Sequence, residues 1–425
     1  MVPIIAIVFA IILLAISTPI FLVFGVGSIA YGLHELQLPA PTLMQVSIQA
    51  ITKHMLLAIP LFILSGLLMV KGGAAKRLVD LSVSLVGHLP GGIGLAMILT
   101  MAFFAAFSGS ILAAIAAVGL VLMPRMVEQG YSKGFVAVLA ATAALLQSMI
   151  PPSNAAIIYS ALTHTPTTYT FAAGIGPALL LMILLAAFLV WHGRKMPLPE
   201  KVSRSELKNS FIRALPALLT PILILGSIYS GLTTPSESAA LASLWALLIG
   251  AFVYQELNFQ KFREALQTTA TISCSIFVII SMASLFSFVL TYDQVPQALV
   301  YFFTTHQVNT ISFLLLAGLS VLLLGTFLEA IPIFYISLPI FVPLCKVMGI
   351  DLLHFYAYFS LLVGLGLITP PLCIGVYSAA SVIDESPQRT LKYIPKFFLI
   401  GVITAIVVLF WPSISTWLPN TLAAN

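Results

Sequence analysis

The sequence predicts an all-α polytopic membrane protein with inverted repeats, each a re-entrant helical hairpin followed by a helix broken at a Pro-Pro pair. Three observations predict it. The 425-residue chain is 60% hydrophobic and 7% charged, with mean hydropathy +1.11, whereas a soluble domain carries roughly 25% charged residues. Pro124, Gly130, Pro151 and Pro152 recur 219 positions later as Pro343, Gly349, Pro370 and Pro371. The basic clusters fall so that one membrane orientation satisfies nearly all of them.

Residues 3–16 are apolar with no basic residue before them, and Ser17-Thr18-Pro19 leads into more apolar sequence. They read as a retained first span rather than a cleaved signal. Apolar runs bounded by polar punctuation predict spans at 3–17, 19–33, 55–70, 171–193, 213–230, 235–255, 265–290 and 397–413. Crossing the hydrocarbon takes about 20 helical residues, so the shorter ones are expected to tilt or to be partly immersed. Gly73 to Gly87, with Lys76, Arg77 and Asp80 near its start, predicts an amphipathic helix lying flat at the interface. Thr234-Pro235-Ser236-Glu237 places Thr at the N-cap, Pro at N1 and Glu at N3, a capping box that opens the span 235–255.

Two regions do not read as simple spans. Gly91–Val127 is long enough to enter and return, with Ser108-Gly109-Ser110 at its midpoint; Thr310–Val347 has Gly325 to Pro332 at its own. Each precedes a helix broken at Pro-Pro, 134–163 and 354–384. A proline pair removes two backbone donors and bends the chain. Lipid tolerates such freed carbonyls only where protein or a cavity receives them. The predicted segments are therefore scaffold spans and an interfacial arm over 1–90, the first hairpin and broken helix over 91–165, and further scaffold spans over 166–309. The second hairpin and broken helix follow over 310–385, and a C-terminal span over 386–425.

Arg194, Lys195, Lys201, Arg204, Lys208 and Arg213, diluted by Glu200 and Glu206, form the largest basic cluster and mark the cytoplasm. Lys71, Lys76, Arg77, Lys133, Lys261, Arg263, Arg389, Lys392 and Lys396 fall on the same side; Lys53 and Lys346 stand alone as exceptions. This trace brings the first hairpin in from the cytoplasm and the second from the periplasm. The repeats are thus predicted to be inverted, with their tips facing near mid-membrane.

The chemistry is expected at those tips. Ser108, Gly109, Ser110, Pro151, Ser153 and Asn154 gather small polar groups beside freed carbonyls, an oxygen environment for a hard monovalent cation such as Na+. The bland alternative is close helix packing through small residues. The counterparts are Gly325, Thr326, Glu329, Thr369 and Pro370. Ser110, Asn154, Thr326 and Thr369 are the expected substrate contacts. Glu329 stands at the offset of Ser110 and is embedded in apolar sequence, where acids are functional by default. Ion ligand, proton carrier and hydrogen-bond or salt-bridge partner at the tip remain its competing roles. The seven histidines never pair at metal-ligand spacing. Cys274, Cys345 and Cys373 lie far apart and read as small core residues. No Walker lysine follows a glycine cluster, and no nucleophile–base pair suggests an enzyme. Net charge +5 comes without a basic run interleaved with aromatics, so it is not a nucleic-acid footprint. The Thr163–Thr170 tract reads as a periplasmic loop.

An ordered series of motifs then resembles a family. Leu57-Ala58-Ile59-Pro60-Leu61-Phe62, Gly72-Gly73, Arg77-Leu78-Val79-Asp80, Leu85-Val86-Gly87-His88 and Pro90-Gly91-Gly92 lead it. Phe107-Ser108-Gly109-Ser110, Ile150-Pro151-Pro152-Ser153, Thr234-Pro235-Ser236-Glu237 and Gly366-Leu367-Ile368-Thr369-Pro370-Pro371 complete it. Over residues 20 to 415 the chain resembles the large membrane subunit of tripartite ATP-independent periplasmic (TRAP) transporters. The resemblance implies an elevator-type carrier of the ion transporter superfamily, in the bacterial inner membrane, with Na+ as the coupling ion and no other cofactor. It implies a small four-helix membrane subunit and a periplasmic binding protein that delivers carboxylates such as sialic acid or C4-dicarboxylates. Because the chain begins directly with the large-subunit pattern, the small subunit is expected to be separate. By motif match, Na+ is expected at Ser108–Ser110 with Pro151–Asn154 and at Gly325–Glu329 with Thr369–Pro371. Relatives usually carry Asp where Glu329 stands. A standalone proton-coupled carrier working through Glu329, without a binding protein, is the alternative.

Overall fold

The computed structural model describes residues 18–194 and 201–423; the predicted span 3–17, Lys195 and Glu200 lie outside them. Every regular element among the described residues is helical. Seven of the helices are long and apolar enough to cross a membrane, and two further pairs qualify jointly across a bend.

The first group of helices comprises α1 (Ile20–His34), α2 (Ala40–Ile51), α3 (Ala58–Lys71) and α4 (Ala74–Val86). Next come α5 (Gly92–Ser108) and α6 (Ile111–Glu128), then α7 (Lys133–Ala143), the single turn α8 (Leu146–Met149) and α9 (Asn154–Thr163). The middle holds α10 (Thr167–Gly193), α11 (Arg204–Tyr229), α12 (Pro235–Leu248, continued by a π turn to Val253), α13 (Phe259–Tyr292) and α14 (Val295–Thr305). There follow α15 (Thr310–Gly325), α16 (Ala330–Val347), α17 (Leu352–Gly366) and α18 (Ile374–Val382). A short turn α19 (Pro387–Thr390), α20 (Ile394–Phe410) and α21 (Ser413–Ala423) close the chain.

The starts of these helices follow from local chemistry. Thr234 Oγ1 accepts from the Glu237 N–H at 3.4 Å while the Glu237 carboxylate accepts from the Thr234 N–H at 2.8 Å, the predicted capping box. Ser203 and Glu206 make the same reciprocal pair at α11, and Asn258 and Asn309 cap α13 and α15. Each such cap is worth about 1 kcal/mol.

α3 packs along α12, and α13 packs on α1, α2, α3 and α16. The amphipathic α4 lays Leu78, Val79 and Leu81 against α5 and α11. Arg77 holds its outer face, bonded to Glu256 at 2.7 Å and stacked over the Tyr254 ring at 3.8 Å. Lys71 pairs with Glu264 at 2.7 Å. Partly exposed ion pairs contribute roughly 0–1 kcal/mol, so the buried aliphatic face is the stronger hold.

The remaining helices interlock across the two hairpin units: α7 packs on α18, α9 on α16, and α8 on α17. Tyr159, Phe334, Tyr335, Tyr356, Phe355 and Phe359 fill their centre, all essentially inaccessible. α10, placed by its sequence within the scaffold segment 166–309, packs instead on α5, α17, α20 and α21. Gly174 lies so close to the first broken helix that an added Cβ would stand 2.1 Å from the Met149 carbonyl oxygen.

Other departures from expectation have physical causes. α2 and α14 fall between predicted spans; each starts at a proline pre-set for the first turn and exposes apolar residues such as Met44 and Tyr301. The predicted span 397–413 is α20, which bends by 55° into α21. The threonine tract is mostly helix: Thr167 opens α10, and Thr170 bonds Ser160 Oγ at 2.9 Å. Cys345 and Cys373 are buried as expected, but Cys274 is exposed on the apolar flank of α13, where a thiol is as comfortable in lipid as in a core.

Candidate functional site

The first tip is two residues long. α5 ends at Ser108, Gly109 takes φ +58°, and Ser110 caps α6 by accepting from the Ala113 N–H at 3.4 Å. The first break spans Ile150–Ser153, and the chain turns by 40° across it. Gly109 seats the tip on this break: an added Cβ would lie 3.1 Å from the Pro152 carbonyl oxygen, 3.3 Å from the Asn154 nitrogen and 3.4 Å from Asn154 Cγ. Both αL backbone and close approach call for glycine here.

Two oxygens at this contact are left without hydrogen bonds among the described residues. Asn154 Oδ1 is buried and unpartnered, and the Pro152 carbonyl accepts nothing. Ser153 Oγ donates to the Ser148 carbonyl at 2.9 Å, which leaves its lone pairs free. Buried oxygens without donors favour a cation. Ser108, Pro151, Pro152 and Ser153 are all buried, so this side is closed.

The second tip, Thr326–Glu329, joins α15 to α16. Its seat is a glycine pair rather than the prolines: an added Cβ on Gly325 would lie 2.8 Å from Gly366 Cα, and one on Gly366 2.4 Å from Gly325 Cα. Both glycines are the last residues of their helices. Two helix C-termini, each carrying about half a negative charge, therefore meet beneath the tip. Thr326 Oγ1 donates to the Leu323 carbonyl and Thr369 Oγ1 to the Leu365 carbonyl, both at 2.7 Å. Their lone pairs too are unspent.

Glu329 is the N-cap residue of α16, as Ser110 is of α6. Its sequence setting predicts an embedded carboxylate; the structure leaves it exposed at the tip, with no ion pair or hydrogen bond among the described residues. The second break is longer, Leu367–Cys373, and Pro370, Pro371 and Leu372 are exposed. The two sites thus differ: the first is sealed and neutral, the second accessible and acidic.

The broken helices touch between the sites. Gly364 packs on Leu145 and Ser148, and Tyr356 OH donates to the Ser148 carbonyl at 3.0 Å. Tyr159 OH donates to the Leu352 carbonyl at 2.6 Å. Sequence reasoning passed over Gln147, wholly buried, whose Nε2 donates to the Met101 carbonyl at 3.0 Å while its Oε1 has no partner. A lone amide in an apolar run four residues before the Pro-Pro pair was the available signal. A groove of about 390 Å³ lined by Pro296, Val300, Tyr301, Pro339 and Pro343 lies beside α14 and α16 and includes no tip residue.

Comparison with known proteins agrees with this architecture. The model of the tripartite ATP-independent periplasmic transporter, DctM component, matches residues 5–414. The chain is 35% identical over 374 residues to the C4-dicarboxylate TRAP transporter large permease protein DctM of Pseudomonas aeruginosa, covering 88% of each chain. It is 34% identical to the sialic acid TRAP transporter large permease protein SiaM of Vibrio cholerae, covering 86% of each. Against the isethionate TRAP transporter permease protein DctMQ of Oleidesulfovibrio alaskensis it is 33% identical over 94% of its own length, and spans 64% of that relative. Among solved structures, the MtrF antimetabolite efflux pump of Neisseria gonorrhoeae shares the fold at TM-score 0.59 and 12% identity, over 91% of this chain and 85% of that one. The YdaH transporter of Alcanivorax borkumensis does so at TM-score 0.54 and 15% identity, over 82% and 84%.

Proposed function

Because the chain belongs to the DctM component family of tripartite ATP-independent periplasmic transporters, we propose that it is the large permease of a Na+-coupled importer of small organic anions. Relatives named for C4-dicarboxylates, sialic acid and isethionate support a carboxylate or sulfonate as cargo. Its partners in this reading are a small membrane subunit and a periplasmic binding protein, and its place is the bacterial inner membrane.

One observation carries the proposal: each hairpin tip is seated on its own broken helix through a glycine contact, with unspent oxygens beside it. Na+ at the first site would be held by Asn154 Oδ1, the Pro152 carbonyl and the hydroxyls of Ser108 and Ser153. At the second it would meet Glu329, Thr326, Thr369 and the paired helix C-termini. The anion then sits between, near Ser110 and Asn154, where the N-termini of α6 and α9 supply positive ends and bound Na+ supplies the remaining field. Neutralising the tips closes each against its break, so cargo and ion move together. The moving body is α5–α10 with α15–α21, inverted repeat against inverted repeat, and it travels as an elevator along a scaffold of α1–α4 and α11–α14.

Uptake by the complete transporter in proteoliposomes, with sialic acid, C4-dicarboxylates and isethionate as cargo, is expected to require an inward Na+ gradient. Equal uptake on a proton gradient alone would instead favour a proton-coupled carrier. The orientation has its own test. A cysteine replacing Ser203, exposed at the start of α11, is expected to react with an impermeant maleimide only from the cytoplasmic side; periplasmic labelling overturns the topology.

A further inference from the structure

Across the boundary between the proposed scaffold and moving body, two polar contacts occur among the described residues. Lys53 Nζ donates to the Ala161 carbonyl at 3.1 Å. Arg125 Nη1 meets Asp80 Oδ1 at 3.4 Å. Both reach the first hairpin unit, one near the C-terminal end of α9 and the other in the last turn of α6. Between them, α3 backs onto the first tip, where an added Cβ on Gly66 would stand 3.0 Å from Ser108 Cα. Among the described residues the second unit meets the scaffold mainly through apolar packing, α13 and α14 on α16 and Phe303 of α14 edge-on to Phe313 of α15 at 5.7 Å.

Lys53 is the odd residue in this arrangement. With Lys346 it is one of two exceptions to the charge rule that orders the basic clusters, and no carboxylate pairs with it among the described residues. Its linker is fixed to the scaffold, since Ser236 Oγ donates to the His54 carbonyl at 3.1 Å. Ala161 is among the last four residues of α9, whose carbonyls lack intrahelical donors and whose negative end attracts a cation. Separation leaves no stranded carboxylate behind, so the contact can break and re-form at modest cost. Both contacts are charge-assisted hydrogen bonds, and the Lys53 one is the shorter, 3.1 Å against 3.4 Å.

We propose that Lys53 latches the moving body in the position seen here, setting its resting position rather than its affinity for cargo. This rests on the moving-body reading above. The test uses the complete transporter with Cys274, Cys345 and Cys373 replaced by alanine, in a background that retains uptake. Asp80→Cys and Arg125→Cys then remove the second contact and report the position, because a short bifunctional thiol reagent bridges them only while the body is here. Lys53→Met is expected to slow bridging about tenfold, the shift that follows from losing one charge-assisted hydrogen bond. Lys53→Arg should bridge at close to the parent rate, and neither change should move the Na+ concentration for half-maximal uptake. Bridging by Lys53→Met at the parent rate overturns the latch. Should Lys53→Met fail to accumulate, Lys53→Gln, whose shorter amide cannot reach the carbonyl with a charge, takes its place with the same expectation. If the bridged protein still transports at full rate, the moving-body reading itself fails, an outcome separable from failure of the latch.

Discussion

Glu329→Gln is expected to raise the Na+ concentration for half-maximal uptake by about tenfold or more, while Glu329→Asp keeps Na+ dependence. The carboxylate stands at the N-cap of α16, exposed, with nothing bonded to it among the described residues. It therefore faces whatever enters the second site. Beneath it the C-terminal ends of α15 and α17 meet, and their carbonyls repel an anion unless a cation lies between. A unit charge 4 Å from Na+ gains roughly 4 kcal/mol at an effective dielectric near 20. Losing about a third of that already accounts for a tenfold shift, since roughly 1.4 kcal/mol is a factor of ten. The amide keeps the shape and the oxygen, so packing and folding should survive. Aspartate keeps the charge at shorter reach, a change in geometry rather than in sign. Na+ activation of the glutamine variant indistinguishable from the parent would leave Glu329 with no part in ion binding.

The tips and breaks were legible because their signals are local. Proline removes a donor and glycine admits αL whatever surrounds them, so Gly109, Pro151-Pro152 and Pro370-Pro371 announce interruptions in any context. The capping box at Thr234 is legible for the same reason. Tertiary partnership is not. α10 is an apolar helix like its neighbours in sequence, and nothing local in it announces its packing on α5, α17, α20 and α21 or the approach of Gly174 to Met149. α2 and α14 escaped because they are short and half apolar, below the length that marks a span. The match at one offset also hid an asymmetry. The residue before each Pro-Pro pair belongs to a break of four residues in one unit and seven in the other, and the longer break is the exposed one. Glu329 at the offset of Ser110 already marks the sites as unequal in sequence; their difference in accessibility is what the structure adds.

Gly366→Ala is expected to abolish most uptake, by tenfold or about that, and Gly325→Ala to do nearly the same. An alanine Cβ at 366 would stand 2.4 Å from Gly325 Cα and 2.7 Å from its carbonyl carbon. Both obstacles are backbone, so no rotamer change relieves them, and the tip must lift from the broken helix. Overpacking of this kind costs roughly 1–3 kcal/mol, which a membrane protein of this size survives. Alanine also favours helix over glycine by about 1 kcal/mol, so thermal unfolding in detergent should move little while transport falls. That divergence is the diagnostic: a purely structural glycine would lower stability and uptake together. Gly226→Ala, where nothing lies within 4 Å of the new methyl, supplies the control and should leave uptake intact. Parental uptake by Gly366→Ala would mean that the second tip need not close on its broken helix, and coupling of ion to cargo would then have to arise at the first site alone.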